Sequence, residues 1–332
     1  MRTFRFFCIF PNFGHILFQE VRDMREGELT RVLGKTIKKI LKENEIPFDK
    51  LQEIRLRIGK PLIIVCDNIE WVLQKKIEKE DLMETLEYVS NYSLYAFENE
   101  LKQGFITIEG GHRVGISGQV LVEDGEVKNI KHVSTMNIRI SHEILNCANE
   151  IFPYITRNKQ ICNTLIISPP RCGKTTLLRD LVRQVSDGNR WMKGCTVGVV
   201  DERSELGGCY LGVPQNQLGI RTDVLDCCPK SKGMLMLIRS MAPQVIAVDE
   251  IGSAEDVRAL EYAMHCGCKM IATVHGTSME EIRRKPLFEE MVKEHRFERY
   301  VVLGNYRRIG EVEGIYDERG SLLYREDTTC RK

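Results

Sequence analysis

TLIISPPRCGKTT, residues 164–176, joins an apolar β-branched run to a Pro-Pro turn and then to a helical pattern. Beyond it, Leu177, Leu178, Leu181, Val182 and Val185 recur on one helical face, so strand, turn and helix follow one another without a gap. A Gly-Lys-Thr at the turn-to-helix junction is the arrangement that cradles phosphate, because the first backbone N–H groups of a helix have no intrahelical acceptor and its dipole favours an anion. Ser168, Pro169, Pro170, Arg171, Cys172, Gly173, Lys174, Thr175 and Thr176 are therefore the candidate phosphate-binding residues. Lys174 would reach the β and γ phosphates of a nucleoside triphosphate, and the Thr175 hydroxyl would ligate Mg²⁺. Ser168 stands where G-x-x-x-x-G-K-[ST] has its first glycine. A left-handed backbone there would cost serine roughly 1–2 kcal/mol and weaken nucleotide affinity. Cys172 reads as a passive small residue of the loop.

Further apolar runs end in polar groups. Val245-Ile246-Ala247-Val248 is followed by Asp249 and Glu250, a buried-strand pattern closing on two carboxylates. In an open α/β sheet such an end lies on the ligand-binding edge. Asp249 suits Mg²⁺, and Glu250 suits the orientation or deprotonation of an attacking water. Val199-Val200 leads into Asp201-Glu202-Arg203, and Met270–Val274 leads into His275, placed to sense a γ phosphate. Strands are expected at Thr164–Ile167, Thr196–Val200, Val245–Val248 and Met270–Val274. Helices are expected at Thr175–Val185, Gly233–Met241 and Ala254–Cys266, the last opened by a Ser253/Asp256 capping box. A final hairpin spans Gly310 to Tyr324 and turns at Arg319-Gly320. Strands alternating with helices indicate a mostly parallel α/β sheet.

The first half reads differently. Leu29, Val32, Leu33, Ile37, Ile40 and Leu41 predict one helix over 28–43, and Leu82, Leu86, Val89, Phe97 and Leu101 a second long one. Alternation from Glu53 to Cys66 around Gly59-Lys60-Pro61 predicts a hairpin, and short β runs between Gly104 and Ser141 are punctuated at Gly110-Gly111 and Asp124-Gly125. The chain thus divides into an N-terminal extension (1–26), an α+β domain (27–148) and an α/β domain (149–332). The extension's aromatic run Phe6–Phe10 is broken by Pro11 and Asn12 and lacks a small-residue cleavage site, so it does not read as a signal peptide, and the functional start is expected at Met24, shortly before a clean helical pattern begins.

Composition narrows the classes. Lys plus Arg number 48 against 47 Asp plus Glu, a net charge of +1, which removes the bulk electrostatic argument for nucleic-acid binding. No apolar stretch is long enough to span a bilayer as a helix. The 12 cysteines lack zinc-ligand spacing and read as the reduced thiols of a cytoplasmic protein. Neither an ABC-type LSGGQ signature nor the guanine-specific N-K-x-D is present.

The loop, VVDERSE, GVPQNQLGIRTDVLDCCPKSKGMLMLIRSMAPQVIAVDEIG and ATVHG, preceded by EIRLRIGKPL, GFITIEGGHRVGISGQV and NIRISHEI, together resemble the sporulation stage III AA family of the secretion ATPase superfamily. That superfamily also holds type IV pilus retraction and type II and IV secretion motors. The resemblance covers roughly residues 28 to 320. It implies a RecA-like P-loop NTPase domain with a smaller α+β N-terminal domain. It further implies ATP and Mg²⁺ as cofactors, Glu250 as catalytic glutamate, Glu202 as the Asp-box acid and His275 as the His-box residue. Arg139 in NIRIS and Arg113 in GGHRVG are the candidate arginines completing such sites; Arg203, Arg221 and Arg239 are alternatives that the sequence does not rank. The implied assembly is a homo-hexamer. The implied task is to power or assemble the mother cell–forespore channel of endospore formation, from the cytoplasmic face and alongside integral membrane partners. Two alternatives stand beside it: a nucleic-acid-dependent ATPase, and a nucleotide-binding switch or scaffold with little turnover.

Overall fold

The computed structural model describes residues 27, 29–92, 97, 100, 104–304 and 310–325, and Met24 with the rest of the extension lies outside them. The chain forms two units that divide after His142. The division falls ahead of the expected residue 148 because the intervening residues are tied into the second unit: Ala148 is buried and its N–H donates to Asp180 Oδ2 at 2.8 Å.

In the first unit, α1 (Lys35–Glu43) and α2 (Lys79–Val89) accompany strands β1 (Leu51–Arg57), β2 (Pro61–Cys66), β3 (Ile69–Lys76), β4 (Phe105–Ile108), β5 (His112–Glu123) and β6 (Glu126–Arg139). The strands pair antiparallel in the order β3-β2-β1-β6-β5-β4. The alternation read around Gly59 is the β1–β2 hairpin, in which Ile54, Leu56, Leu62 and Ile64 are buried. The runs after Gly104 extend into the long β5–β6 hairpin, turning at Asp124-Gly125, both at positive φ. Two helix expectations change. The 28–43 pattern is interrupted at Gly34, which caps α1; its N–H donates to Thr85 Oγ1 at 3.1 Å, and a Cβ there would meet Glu84 and Thr85 oxygens at 2.9 Å. The second helix stops at Val89, because Asn91 and Tyr92 both adopt left-handed backbones that no α-helix continues through. Leu101, expected in that helix, lies outside the described residues.

The second unit is an α/β sheet. After a helical turn (Phe152–Ile155) and a short strand pair (Thr156–Arg157 with Gln160–Ile161), its main elements are β7 (Thr164–Ser168), α3 (Lys174–Asp187), β8 (Val197–Asp201), β9 (Thr222–Asp226), α4 (Lys230–Ser240), β10 (Val245–Val248), α5 (Ala254–His265), β11 (Lys269–His275), α6 (Met279–Arg284), α7 (Pro286–Lys293), β12 (Arg299–Gly304), β13 (Glu311–Asp317) and β14 (Leu322–Tyr324). The order is β9-β8-β10-β11-β7-β12-β13-β14, parallel from β9 to β12 and antiparallel beyond. Successive residues of β7 serve opposite faces. Leu165 and Ile167 join a core with Leu237, Leu260 and Phe288, while Ile166 joins one with Leu178, Leu181 and Phe152. Ser253 accepts from the Asp256 N–H at 3.1 Å and Asp256 answers to the Ser253 N–H at 3.1 Å, the expected capping box. The strands β9 and β12 were not among those expected. TDVLD carries two acids in five residues, and RYVVLG has no alternation to mark it.

Candidate active site

Strands β8, β10, β11 and β7 are neighbours and parallel, so their C-terminal ends share one edge of the sheet. The phosphate loop, Asp249, Glu250, Glu202 and His275 all sit there. Ser168 is the last residue of β7, buried, and pairs in register with His275 on β11. Its backbone is not left-handed; positive φ falls instead at Arg171 (61°) and Gly173 (79°). The cost anticipated at Ser168 is thus absent, and the non-glycine strain of the loop is carried by Arg171. Cys172 is buried with its Sγ 3.5 Å from the Pro170 carbonyl. Gly173 is the N-cap of α3, and no side chain caps that helix, which leaves its first N–H groups to whatever anion enters the loop.

Lys174 and Thr175 open α3 and both reach neighbouring strand ends. Lys174 Nζ lies 3.5 Å from His275 Nε2. Thr175 Oγ1 donates to Asp249 Oδ2 at 2.7 Å, and the other oxygen, Oδ1, accepts from the Thr273 hydroxyl. Glu250 follows in a left-handed backbone, φ 57°, with its N–H donating to Thr273 Oγ1 at 2.8 Å. One of its carboxylate oxygens meets His275 Nε2, and the other accepts from Arg203 Nη1 at 2.8 Å. Glu202 is ion-paired with Lys230 at the start of α4, a lysine side chain only 11% exposed.

Asp201, beneath Glu202, is buried and accepts three backbone N–H groups, from Glu205 and Leu206 at 2.9 Å and from Gly207 at 2.8 Å. Burial pushes its carboxyl up to about 6, against the pull of those N–H groups. Arg179 of α3 holds the same loop from the other side, through the Leu206 carbonyl at 3.0 Å and the Glu205 carbonyl at 2.7 Å. Its guanidinium is drawn below its ordinary pKa, chiefly by burial. Thr273, Lys230 and Arg179 escaped the sequence reading: a lone Thr inside ATVHG looks like β propensity, and a Lys after Pro229 looks like a solvated helix start. The signal that could have found Thr273 is its place two residues before His275, on the same strand.

Arg113 and Arg139 belong to the first unit and lie directly opposite one another on β5 and β6. Arg113 stacks over the Phe105 ring, 3.9 Å from its centroid. Arg139 pairs in register with Glu53 of β1, which Arg55 and Asn137 also engage. Burial raises the Glu53 carboxyl pKa, but hydrogen bonds from Arg55 and Asn137 outweigh it and the net direction is downward. Of the alternative arginines, Arg203 touches Glu250. Arg221 donates to the Ser186 carbonyl at 2.8 Å, and Arg239 is exposed near the end of α4.

A phosphate-type loop, an Asp-Glu strand end and a histidine strand end on one edge of a parallel sheet define the RecA-like P-loop fold. Solved structures carry the same architecture. The ATPase DotB of Legionella pneumophila aligns with a TM-score of 0.57 at 16% identity, over 87% of this chain and 82% of that one. The pilus retraction motor PilT with bound ADP aligns with a TM-score of 0.55 at 15% identity, over 79% and 76%. Residues 23–323 match the family Sporulation stage III, protein AA, and the chain belongs to it. Stage III sporulation protein AA of Bacillus subtilis is 43% identical over 300 residues, 90% of this chain and 97% of that protein.

Proposed function

We propose that the protein is a Mg²⁺-dependent ATPase working as a homo-hexameric ring motor whose site is completed between subunits, serving the mother cell–forespore channel of endospore formation. The observation that carries the catalytic half of this reading is the convergence of Lys174, Thr175, Asp249, Glu250 and His275 at adjacent strand ends. The uncapped start of α3 and Lys174 fit a triphosphate. A hydroxyl and a carboxylate already within hydrogen-bond distance fit Mg²⁺, which takes few protein ligands and fills its octahedron with phosphate oxygens and water. Bound Mg²⁺ would neutralise charge developing on the transferred phosphoryl. Glu250 takes the proton of the attacking water, and Lys174 and His275 hold the terminal phosphate. Glu202, ion-paired with Lys230, flanks the same cleft.

No helix among the described residues is long and apolar enough to cross a membrane. The proposed work at a channel places the protein at the cytoplasmic face, alongside integral membrane partners. Steady-state ATP hydrolysis by wild type, Lys174→Ala and Glu250→Gln over a wide protein concentration range tests the reading. Wild type is expected to turn over, with specific activity rising with concentration, while each variant loses about 10²-fold or more. Nucleotide binding without turnover in all three proteins would leave a switch or scaffold in its place.

A further inference from the structure

Thr273 is fully buried in the middle of the sheet, yet it is bonded to three successive residues of the neighbouring strand end. Its hydroxyl donates to Asp249 Oδ1 and accepts the Glu250 N–H at 2.8 Å, and its carbonyl accepts the Ile251 N–H at 2.8 Å. Between those contacts Glu250 adopts φ 57°, a conformation that costs a non-glycine residue roughly 1–2 kcal/mol and persists only where the surroundings over-determine it. Asp249, for its part, has one oxygen on the Thr175 hydroxyl and the other on the Thr273 hydroxyl, so it joins the start of α3 to β11. A valine would fill nearly the same volume as Thr273 but would leave a half-buried Glu250 N–H and an Asp249 oxygen without this partner.

We infer that Thr273 is a positioning residue for both carboxylates: through its one hydroxyl it sets Asp249 toward Thr175 and locks Glu250 into its left-handed turn. The role rests on the ATPase reading for its consequence but not for its geometry. Losing the hydroxyl releases Glu250 from the conformation in which it faces His275, and a displacement of about 1 Å at a reacting group is enough for about 10²-fold in rate. Nucleotide binding depends on the phosphate loop, which Thr273 does not touch.

The full-length chain carrying Thr273→Val, Thr273→Ala or Thr273→Ser, beside wild type and Lys174→Ala, tests this with two readouts. The first is kcat and KM for ATP, together with the Mg²⁺ concentration giving half-maximal rate. The valine and alanine variants should lose about 10- to 100-fold in kcat with KM changed less than about threefold, should need more Mg²⁺, and the serine variant should recover most of the rate. The second is amide hydrogen exchange across residues 249–251, expected to be at least about tenfold faster in the alanine variant than in the serine variant. If the valine variant folds poorly, the alanine–serine pair still differs only by the hydroxyl. Wild-type kcat in the valine and alanine variants, or equal exchange in alanine and serine, overturns the inference while leaving the ATPase reading intact. Absent turnover in wild type overturns the ATPase reading and with it the catalytic role, and exchange then decides whether the positioning exists.

Discussion

Asp201 shows how far a single side chain's environment can be carried into a measurable quantity. It ends β8 just before Glu202, and it is sealed from water while facing three N–H donors. Desolvation dominates, and the carboxyl rises from its ordinary 3.8 to about 6. The folded protein therefore holds this proton more tightly than the unfolded chain does. The associated stability is complete below the unfolded value and is lost as pH rises through about 6. Comparing urea unfolding of wild type with Asp201→Asn cancels the titrations they share. Their stability difference should move against wild type by about 1 kcal/mol between about pH 5 and about pH 7, at 1.36 kcal/mol per unit. A pH-independent difference would mean that the loop's N–H groups, and not burial, set the ionisation of Asp201. The residues that sequence made legible at this edge, Lys174, Thr175, Asp249, Glu250 and His275, are polar groups interrupting apolar runs, and a polar group at a strand end stands out. Thr273 did not stand out, because a hydroxyl inside a β-branched run looks the same whether it is bonded to a neighbour's carboxylate or to nothing.

At the scale of the element, the packing of α4 on β8 connects the core to the site. Gly233 is buried on α4, and a Cβ there would stand 2.4 Å from Val200 Cγ1 and 3.2 Å from Cys228 Sγ. Gly198 of β8 is matched against the same helix, its missing Cβ lying 2.8 Å from Leu237 Cδ1. The two glycines let helix and strand approach closely where β8 delivers Asp201, Glu202 and Arg203. Gly233→Ala should thus cost about 1–3 kcal/mol through overpacking, reduced by up to about 1 kcal/mol of gained helix propensity. Urea unfolding measures it, with the exposed Lys232→Ala expected within about 0.5 kcal/mol of wild type. A neutral Gly233→Ala would mean that the interface yields at no cost. Periodicity could predict α4 but not this contact, since a glycine in a helical pattern signals equally a break or a close approach. The same blindness explains the two altered helices. Gly34 opens α1 and the Asn91-Tyr92 pair closes α2 through local backbone geometry, while the apolar spacing runs on past both. Strands β9 and β12 were lost for the converse reason, being recruited to an existing sheet by their neighbours rather than by any pattern of their own.

At the scale of the whole molecule, the proposed ring makes a demand that one subunit cannot meet alone. An arginine delivered to a neighbour's site is worth about 10³–10⁵ in rate in phosphoryl transfer. Arg113 and Arg139 face one another across β5 and β6, but their surroundings differ. Arg113 is stacked on Phe105, whereas Arg139 is aligned with Glu53, whose carboxylate already receives Arg55 and Asn137. Arg139 is exposed while Arg113 is half-buried under its ring contact, so Arg139, though it lies in the field of Glu53, is the candidate freer to reach a neighbouring subunit. Arg139→Ala and Glu250→Gln should each be nearly inactive, for different reasons: the first lacks the donated arginine and keeps its own carboxylate, the second the reverse. Mixed one to one and allowed to exchange subunits, they should recover activity, because an Arg139→Ala subunit beside a Glu250→Gln neighbour has one complete site. Random mixing completes about a quarter of the sites, so a mixture reaching about a quarter of the wild-type rate is the expected outcome for independent sites fed in trans. If Arg139 acts on the site of its own chain, every subunit stays defective however it is mixed, and the mixture remains as inactive as its parts. The same pairing with Arg113→Ala then asks whether the neighbouring strand supplies the arginine instead.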